Sequence, residues 1–263
     1  MITIFQAVIL GVIQGVAEWL PISSEAMVNI IAINIFDIPA DSALKLALLL
    51  HVGTVLAALI YFRKKISYLI RNYQTTKSEW LFLIISSVVS VGLGGVIYLI
   101  LKQVAISDAG GSILTIVMGL SLLVTAYLLS RSASGMRGPE QVGTADSLII
   151  GVVQGLAVVP GISRSGSTTA GLIWRGLSPV AALELSFLMG IPMIVIGATL
   201  LVLEDPATLT LIASPAGLVA LATTLIVGLL TINVLMKLAI KLNFSKLVLL
   251  LGLVTVVAGF MTL

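Results

Sequence analysis

Six stretches of this chain are each long and apolar enough to cross a bilayer, and nothing constrains the fold more. Hydrocarbon about 30 Å thick needs roughly 20 helical residues at 1.5 Å each. The runs 43–62, 81–101, 112–129, 181–203, 211–236 and 247–263 meet that length or come close to it. Only 10% of the 263 residues are charged and 59% are hydrophobic, whereas a soluble domain carries about 25% charge. Lipid is therefore the main solvent, and the remaining sequence leaves no room for a separate aqueous domain. The expectation is one all-α integral membrane domain over residues 1–263.

The net charge of +3 does not indicate nucleic acid, because the basic residues cluster at the ends of apolar runs and form no stripe with interleaved aromatics. They mark topology instead. Arg63, Lys64, Lys65, Arg71 and Lys77 follow the first run, Arg131 and Arg137 the third, and Lys237, Lys241 and Lys246 the fifth. If these three loops are cytoplasmic, only Lys45 and Lys102 flank runs on the outer side, together with Glu204 and Asp205. The absence of cysteine removes thiolate nucleophiles, thiolate metal sites and disulfides. One histidine, His51, does not supply a tetrahedral zinc site. The first 20 residues lack a basic leader, and Gln14 and Glu18 interrupt their apolar run, so they are expected to be retained and not cleaved as a signal.

Two further segments are apolar but broken near the middle. Residues 2–36 are interrupted at Pro21-Ile22-Ser23-Ser24-Glu25, and residues 147–174 at Pro160-Gly161-Ile162-Ser163-Arg164-Ser165-Gly166. Irregular backbone at membrane depth persists only where protein or a wet cavity supplies its hydrogen bonds. Each segment therefore reads as a re-entrant helix-loop-helix hairpin lining a cavity. The segments also match each other: offset by 140 residues, Gly11-Val12-Ile13-Gln14-Gly15 meets Gly151-Val152-Val153-Gln154-Gly155, and Ile22-Ser23 meets Ile162-Ser163. Three spans separate the copies, so the second enters from the opposite face. The expectation is six spans plus two re-entrant hairpins in an inverted-topology repeat, residues 1–130 and 145–263, whose broken helices meet at a binding site near the midplane.

The polar residues of the breaks carry the chemistry. Gln14 and Glu18 lie four apart, on one helix face, a turn before Pro21, and an intramembrane carboxylate is a functional candidate by default. Ser23 and Ser24 precede a second helix, whose free N–H groups attract anions; the plainer reading is an N-cap. Arg164 is the sharpest signal: a guanidinium in hydrocarbon is costly, and a diphosphate would give it a bidentate partner. Around it Ser163, Ser165, Ser167 and Thr168 offer hydroxyls, and Gly161 and Gly166 allow close backbone approach. A structural ion pair with Glu18 or Glu184 is the alternative for Arg164. Glu184 could support the arginine from behind. For His51 a hydrogen bond within the bundle stands against a catalytic role. Asp146, Glu140 and Arg175 read as loop-end topology markers.

The run Gln14-Gly15-Val16-Ala17-Glu18-Trp19-Leu20-Pro21-Ile22-Ser23-Ser24, followed by Pro160-Gly161-Ile162-Ser163-Arg164-Ser165-Gly166-Ser167-Thr168, resembles the undecaprenyl-diphosphatase family, also called bacitracin-resistance proteins. The similarity extends through Glu184-Leu185-Ser186-Phe187-Leu188 to Ile191-Pro192. It implies a polytopic hydrolase of the plasma membrane that converts undecaprenyl diphosphate to the monophosphate carrier. A divalent cation and an active site open to the outer face are also implied, and a homodimer is allowed. By motif position Glu18 would be the essential acid, Gln14 its partner, Ser24 the motif serine and Arg164 the diphosphate-binding arginine.

Where the family usually reads Ser-Ser-Thr or Ser-Ser-Ser and then Gly-His, this chain has Ser24-Glu25-Ala26-Met27; the motif histidine is absent, and Met27 cannot transfer a proton. Acid–base work then falls to Glu25 or His51, or the chain is an inactive lipid-binding relative. The expected mechanism places the diphosphate between the breaks. Arg164, Ser23, Ser163, Ser165, Thr168 and backbone N–H groups hold it, and Glu18, with Glu25, binds Mg²⁺ or Ca²⁺. The attacking oxygen is Ser24 or a water activated by Glu18. The rival class is a polyprenyl-phosphate transporter, since such carriers also use inverted repeats with broken helices.

Overall fold

The computed structural model describes residues 2–104, 110–131, 135–159 and 162–238, together with 245, 246, 249, 250, 252, 253, 256 and 257. Among these it is all-helical. The helices are α1 (Ile4–Ala17), α2 (Ser24–Asn34), α3 (Ala40–Tyr61), α4 (Arg63–Arg71), α5 (Lys77–Val104), α6 (Gly110–Arg131), α7 (Thr144–Leu156), α8 (Arg164–Trp174), α9 (Pro179–Glu204), α10 (Thr208–Ala213) and α11 (Pro215–Leu238). Four of them, α3, α5, α9 and α11, are long and apolar enough to cross a membrane. The expected sixth run, 247–263, lies largely outside the described residues, as do Pro160 and Gly161.

The expected run 211–236 is not one helix. The chain breaks at Ser214, whose hydroxyl accepts the N–H of Gly217 at 3.0 Å. Pro215 opens α11 as its first residue, where its missing N–H costs nothing. Residues 208–213 form the separate short helix α10.

Both broken segments fold as helix pairs, α1–α2 and α7–α8, and each packs on the long helices of the other half of the chain. α1 lies against α11, and α7 lies against α5. Glycines four apart make both contacts close. A Cβ on Gly11 would sit 2.8 Å from the Ala220 carbonyl oxygen, and one on Gly15 2.9 Å from the Gly228 nitrogen. On α7 a Cβ at Gly151 would sit 2.9 Å from the Ser86 carbonyl oxygen, and one at Gly155 2.9 Å from the Leu93 side chain. Such small-residue seams suit a lipid setting, where packing and not water exclusion drives association. Thr231 and Thr224 of α11 add hydroxyl bonds to the carbonyls of Gly15 (2.6 Å) and Gly11 (3.3 Å).

Helices α3 and α9 meet along the middle of the bundle, with an ion pair at each end of their seam. Lys45 contacts Asp205 at 3.0 Å at one end, and Lys65 contacts Glu184 at 2.9 Å at the other. On the Lys65 side of the fold, the segment 135–143 is fastened by buried Asp146, which accepts from Arg137 at 2.8 Å and from Arg175 at 2.6 Å. Asp146 and Arg175 are thus structural partners in one node, more than the topology markers expected of them.

Candidate active site

The end of α1 and the start of α8 converge. α1 stops at Glu18, and the chain turns through Trp19-Leu20-Pro21-Ile22 into Ser23, whose backbone takes a left-handed φ of 58°. Such a conformation is costly for a serine and recurs at functional sites. The freed backbone finds partners from other elements. The Leu20 carbonyl accepts the Ser165 hydroxyl at 3.1 Å, and the Trp19 indole donates to the Gly228 carbonyl at 3.0 Å. Gly166 lies so near the first break that a Cβ there would be 2.8 Å from Pro21. The two breaks are therefore in direct contact.

At their junction Arg164 forms an ion pair with Glu18, bonding its Oε1 through Nη2. Glu18 is 4% exposed and Arg164 16%, so both charges sit in low dielectric, where each needs the other. The second guanidinium nitrogen donates to the Ser186 carbonyl at 3.3 Å. Gly190 on α9 makes room for this side chain, since a Cβ there would collide with the guanidinium. The other Glu18 oxygen, Oε2, accepts from Gln14 Nε2 at 2.9 Å and from Ser24 Oγ at 2.7 Å, and lies 3.2 Å from His51 Nε2. Ser163 caps α8, accepting the Gly166 N–H at 3.2 Å. Thr168 binds Ser186 Oγ at 2.6 Å and the Arg164 carbonyl at 2.7 Å. Ser23 caps α2 loosely, 3.5 Å from the Ala26 nitrogen.

Of the residues singled out in the sequence, Gln14, Glu18, Ser24, His51 and Arg164 thus form one connected cluster. Ser23, Ser163, Ser165, Gly166 and Thr168 shape its walls, and Gly161 falls outside the described residues. Glu184 does not reach Arg164: its partner is Lys65, which also binds Glu79 at 2.7 Å. Met27 packs in an apolar cluster with Ile22, Leu122 and Ala126. Lys65 and Glu79 went unremarked as a pair because nothing in the linear order joins α4 to α5 and α9.

The charge balance suits an anion accompanied by a cation. Both α2 and α8 begin at the junction, and their first-turn N–H groups have no intrahelical partner. Among the described residues no three His, Asp or Glu side chains converge to hold a metal ion by themselves. Glu25, partly buried in the first turn of α2, has a carboxylate with no hydrogen bond or ion pair among those residues. That donor set fits magnesium, which is commonly held by one or two carboxylates together with substrate phosphates and water.

Four helices long and apolar enough to cross a membrane, with paired charges at two helix breaks, define the class: a multi-pass helical membrane protein. Residues 7–257 match the family model described as Bacitracin resistance protein BacA. The chain belongs to that family. It is 37% identical to the undecaprenyl-diphosphatase of Methanopyrus kandleri over 256 residues, 95% of this chain and 94% of the relative. The undecaprenyl-diphosphatase of Methanococcoides burtonii is 35% identical over 274 aligned positions, covering 99% and 100%. That of Haloarcula marismortui is 33% identical, covering 98% of each.

Proposed function

We propose that this protein is an undecaprenyl-diphosphate phosphatase, releasing inorganic phosphate from a polyprenyl diphosphate and leaving the lipid monophosphate. The observation that carries the reading is the ion pair between Arg164 and Glu18, two charges from opposite halves of the chain paired where α1 ends and α8 begins. Full-length similarity to relatives named undecaprenyl-diphosphatase supports the substrate.

In this reading residues 1–130 and 145–263 are inverted repeats of a single plasma-membrane domain with six spans, and α1–α2 and α7–α8 are re-entrant. Helix lengths support it. α2 and α8 have 11 residues each, about 16 Å, half the hydrocarbon thickness. The exchange of partners, α1 on α11 and α7 on α5, is what a two-fold axis in the membrane plane would produce. With the basic loops cytoplasmic, the site opens to the outer face.

The headgroup enters between the breaks with its isoprenoid tail in lipid. Arg164 exchanges Glu18 for phosphate oxygens, a bidentate partner of higher charge. The N–H groups opening α2 and α8 and the hydroxyls of Ser23, Ser163, Ser165 and Thr168 complete the cradle. Ser24, the first residue of α2, is the attacking oxygen, and Glu18, steadied by Gln14, orients it. Glu25, with Glu18 once Arg164 has turned to the phosphate, would hold a divalent cation. The cation, when bound, offsets phosphate charge, the main demand of phosphoryl transfer.

Purified protein in detergent with the C55 diphosphate and Mg²⁺ should release inorganic phosphate without any gradient, and Arg164→Ala and Glu18→Ala should each abolish release. A transporter would release none, and normal hydrolysis by either variant would sink the site assignment.

A further inference from the structure

The site reading above leaves one step without an owner: the proton of the attacking hydroxyl. Glu18 accepts that proton as a hydrogen bond at rest, but it is also bound to Gln14 and paired with Arg164, and so many donors make a carboxylate a poor base. Met27 faces Ile22, Leu122 and Ala126 and has no proton to exchange.

His51 is the chain's one histidine, and it enters from α3, a different element from either break. Its Nδ1 lies 2.7 Å from the Ala47 carbonyl oxygen. A carbonyl only accepts, so Nδ1 carries the proton, and the neutral ring must present the lone pair of Nε2. That nitrogen is 3.4 Å from Ser24 Oγ and 3.2 Å from Glu18 Oε2. The backbone thus fixes the tautomer that a base at Ser24 requires. When Nε2 gains a proton, Glu18 Oε2 is placed to receive it as a hydrogen bond. The Arg164 guanidinium of α8 is already bound to the other oxygen of the same carboxylate. Glu184 and Glu204 of α9 are engaged with Lys65 and Tyr98, and α11 carries only Lys237, at its far end.

We infer that His51 is the general acid–base residue of this site, a catalytic role supplied from α3 in place of the motif position on α2. As Ser24 Oγ bonds to the terminal phosphorus, its proton passes to His51 Nε2. The bond from that phosphorus to the bridging oxygen breaks, and its electron pair leaves with the lipid monophosphate. Water then attacks the phosphoserine. The Ser24 Oγ–P bond breaks with its pair on Oγ, the proton held by His51 returns to Oγ, and a water proton departs with inorganic phosphate. Arg164 and Glu18 keep the roles given above.

The assignment rests on the phosphatase reading, and the tests separate the two. His51→Gln should lower kcat on the C55 diphosphate by roughly 10²–10⁴-fold and leave KM within a few-fold. Imidazole should partly restore His51→Ala, which a merely structural histidine would not allow. In the parent protein, diethyl pyrocarbonate should abolish phosphate release with one imidazole modified, and hydroxylamine should restore it. A parent inactive on the diphosphate overturns both readings. An active parent that resists the reagent, or a His51→Gln variant with near-parental kcat, overturns this one alone. A defect confined to KM does the same.

Discussion

Gly190 offers the cleanest separation of site from scaffold. In Gly190→Ala the new methyl would overlap the Arg164 guanidinium and lie 2.7 Å from its central carbon. Ordinary contact begins near 3.4 Å, so the guanidinium must retreat by at least about 0.7 Å, the difference between those distances. A displacement of order 1 Å in a positioning group costs on the order of 10²-fold in rate, equivalent to about 2.7 kcal/mol of barrier. Stability should respond in the opposite sense. The obstacle is the end of a flexible side chain, and alanine is better than glycine in a helix interior by roughly 0.5–1 kcal/mol. Phosphate release from the C55 diphosphate and thermal melting, both in detergent, read the two effects. A variant with kcat within threefold of the parent refutes the claim that α9 positions the arginine. So does one in which activity and melting temperature fall together, since that would make Gly190 a packing residue.

Arg164→Ala should lower stability by about 3–5 kcal/mol by leaving Glu18 charged and buried; adding Glu18→Gln should recover much of that on melting without recovering turnover. Chelation of divalent cations should stop phosphate release, and Glu25→Gln should raise the Mg²⁺ concentration for half-maximal activity about tenfold, near 1.4 kcal/mol, in a metal titration. Gly151→Ala, whose Cβ meets the Ser86 carbonyl, should destabilise by about 1–3 kcal/mol, seen as a lower melting temperature. Asp146→Asn should cost about 1.5–3 kcal/mol and expose the segment 135–143 to limited proteolysis, with hydrolysis retained.

Composition and periodic breaks made much of this architecture readable. Long apolar runs announce α3, α5, α9 and α11, because length and lack of charge are local properties. Proline, glycine and serine at 21–24 and 160–166 announce the interruptions for the same reason. The 140-residue offset ties the breaks into a pair, and the structure joins Glu18 to Arg164 across them. What escaped the linear reading is partner choice. Glu184 and Arg164 are close in sequence, yet Glu184 projects to Lys65 while Arg164 turns towards Ser186 and Gly190 on the same helix α9. His51 could be read as a bundle hydrogen bond or as a catalyst until the rotational phase of α3 set its ring beside Ser24. Asp146 likewise needed two arginines brought from separate segments.

The crossed packing of α1 on α11 has a consequence for assembly. The glycine face that opens the chain finds its seat only when partners more than 200 positions later exist, as the bonds from Trp19 to Gly228 and from Thr224 to Gly11 record, with separations of 209 and 213 residues. Contacts so distant in sequence form slowly. The helix pair α1–α2 must therefore wait, unclasped, through most of synthesis, and neither half expressed alone could join Glu18 to Arg164.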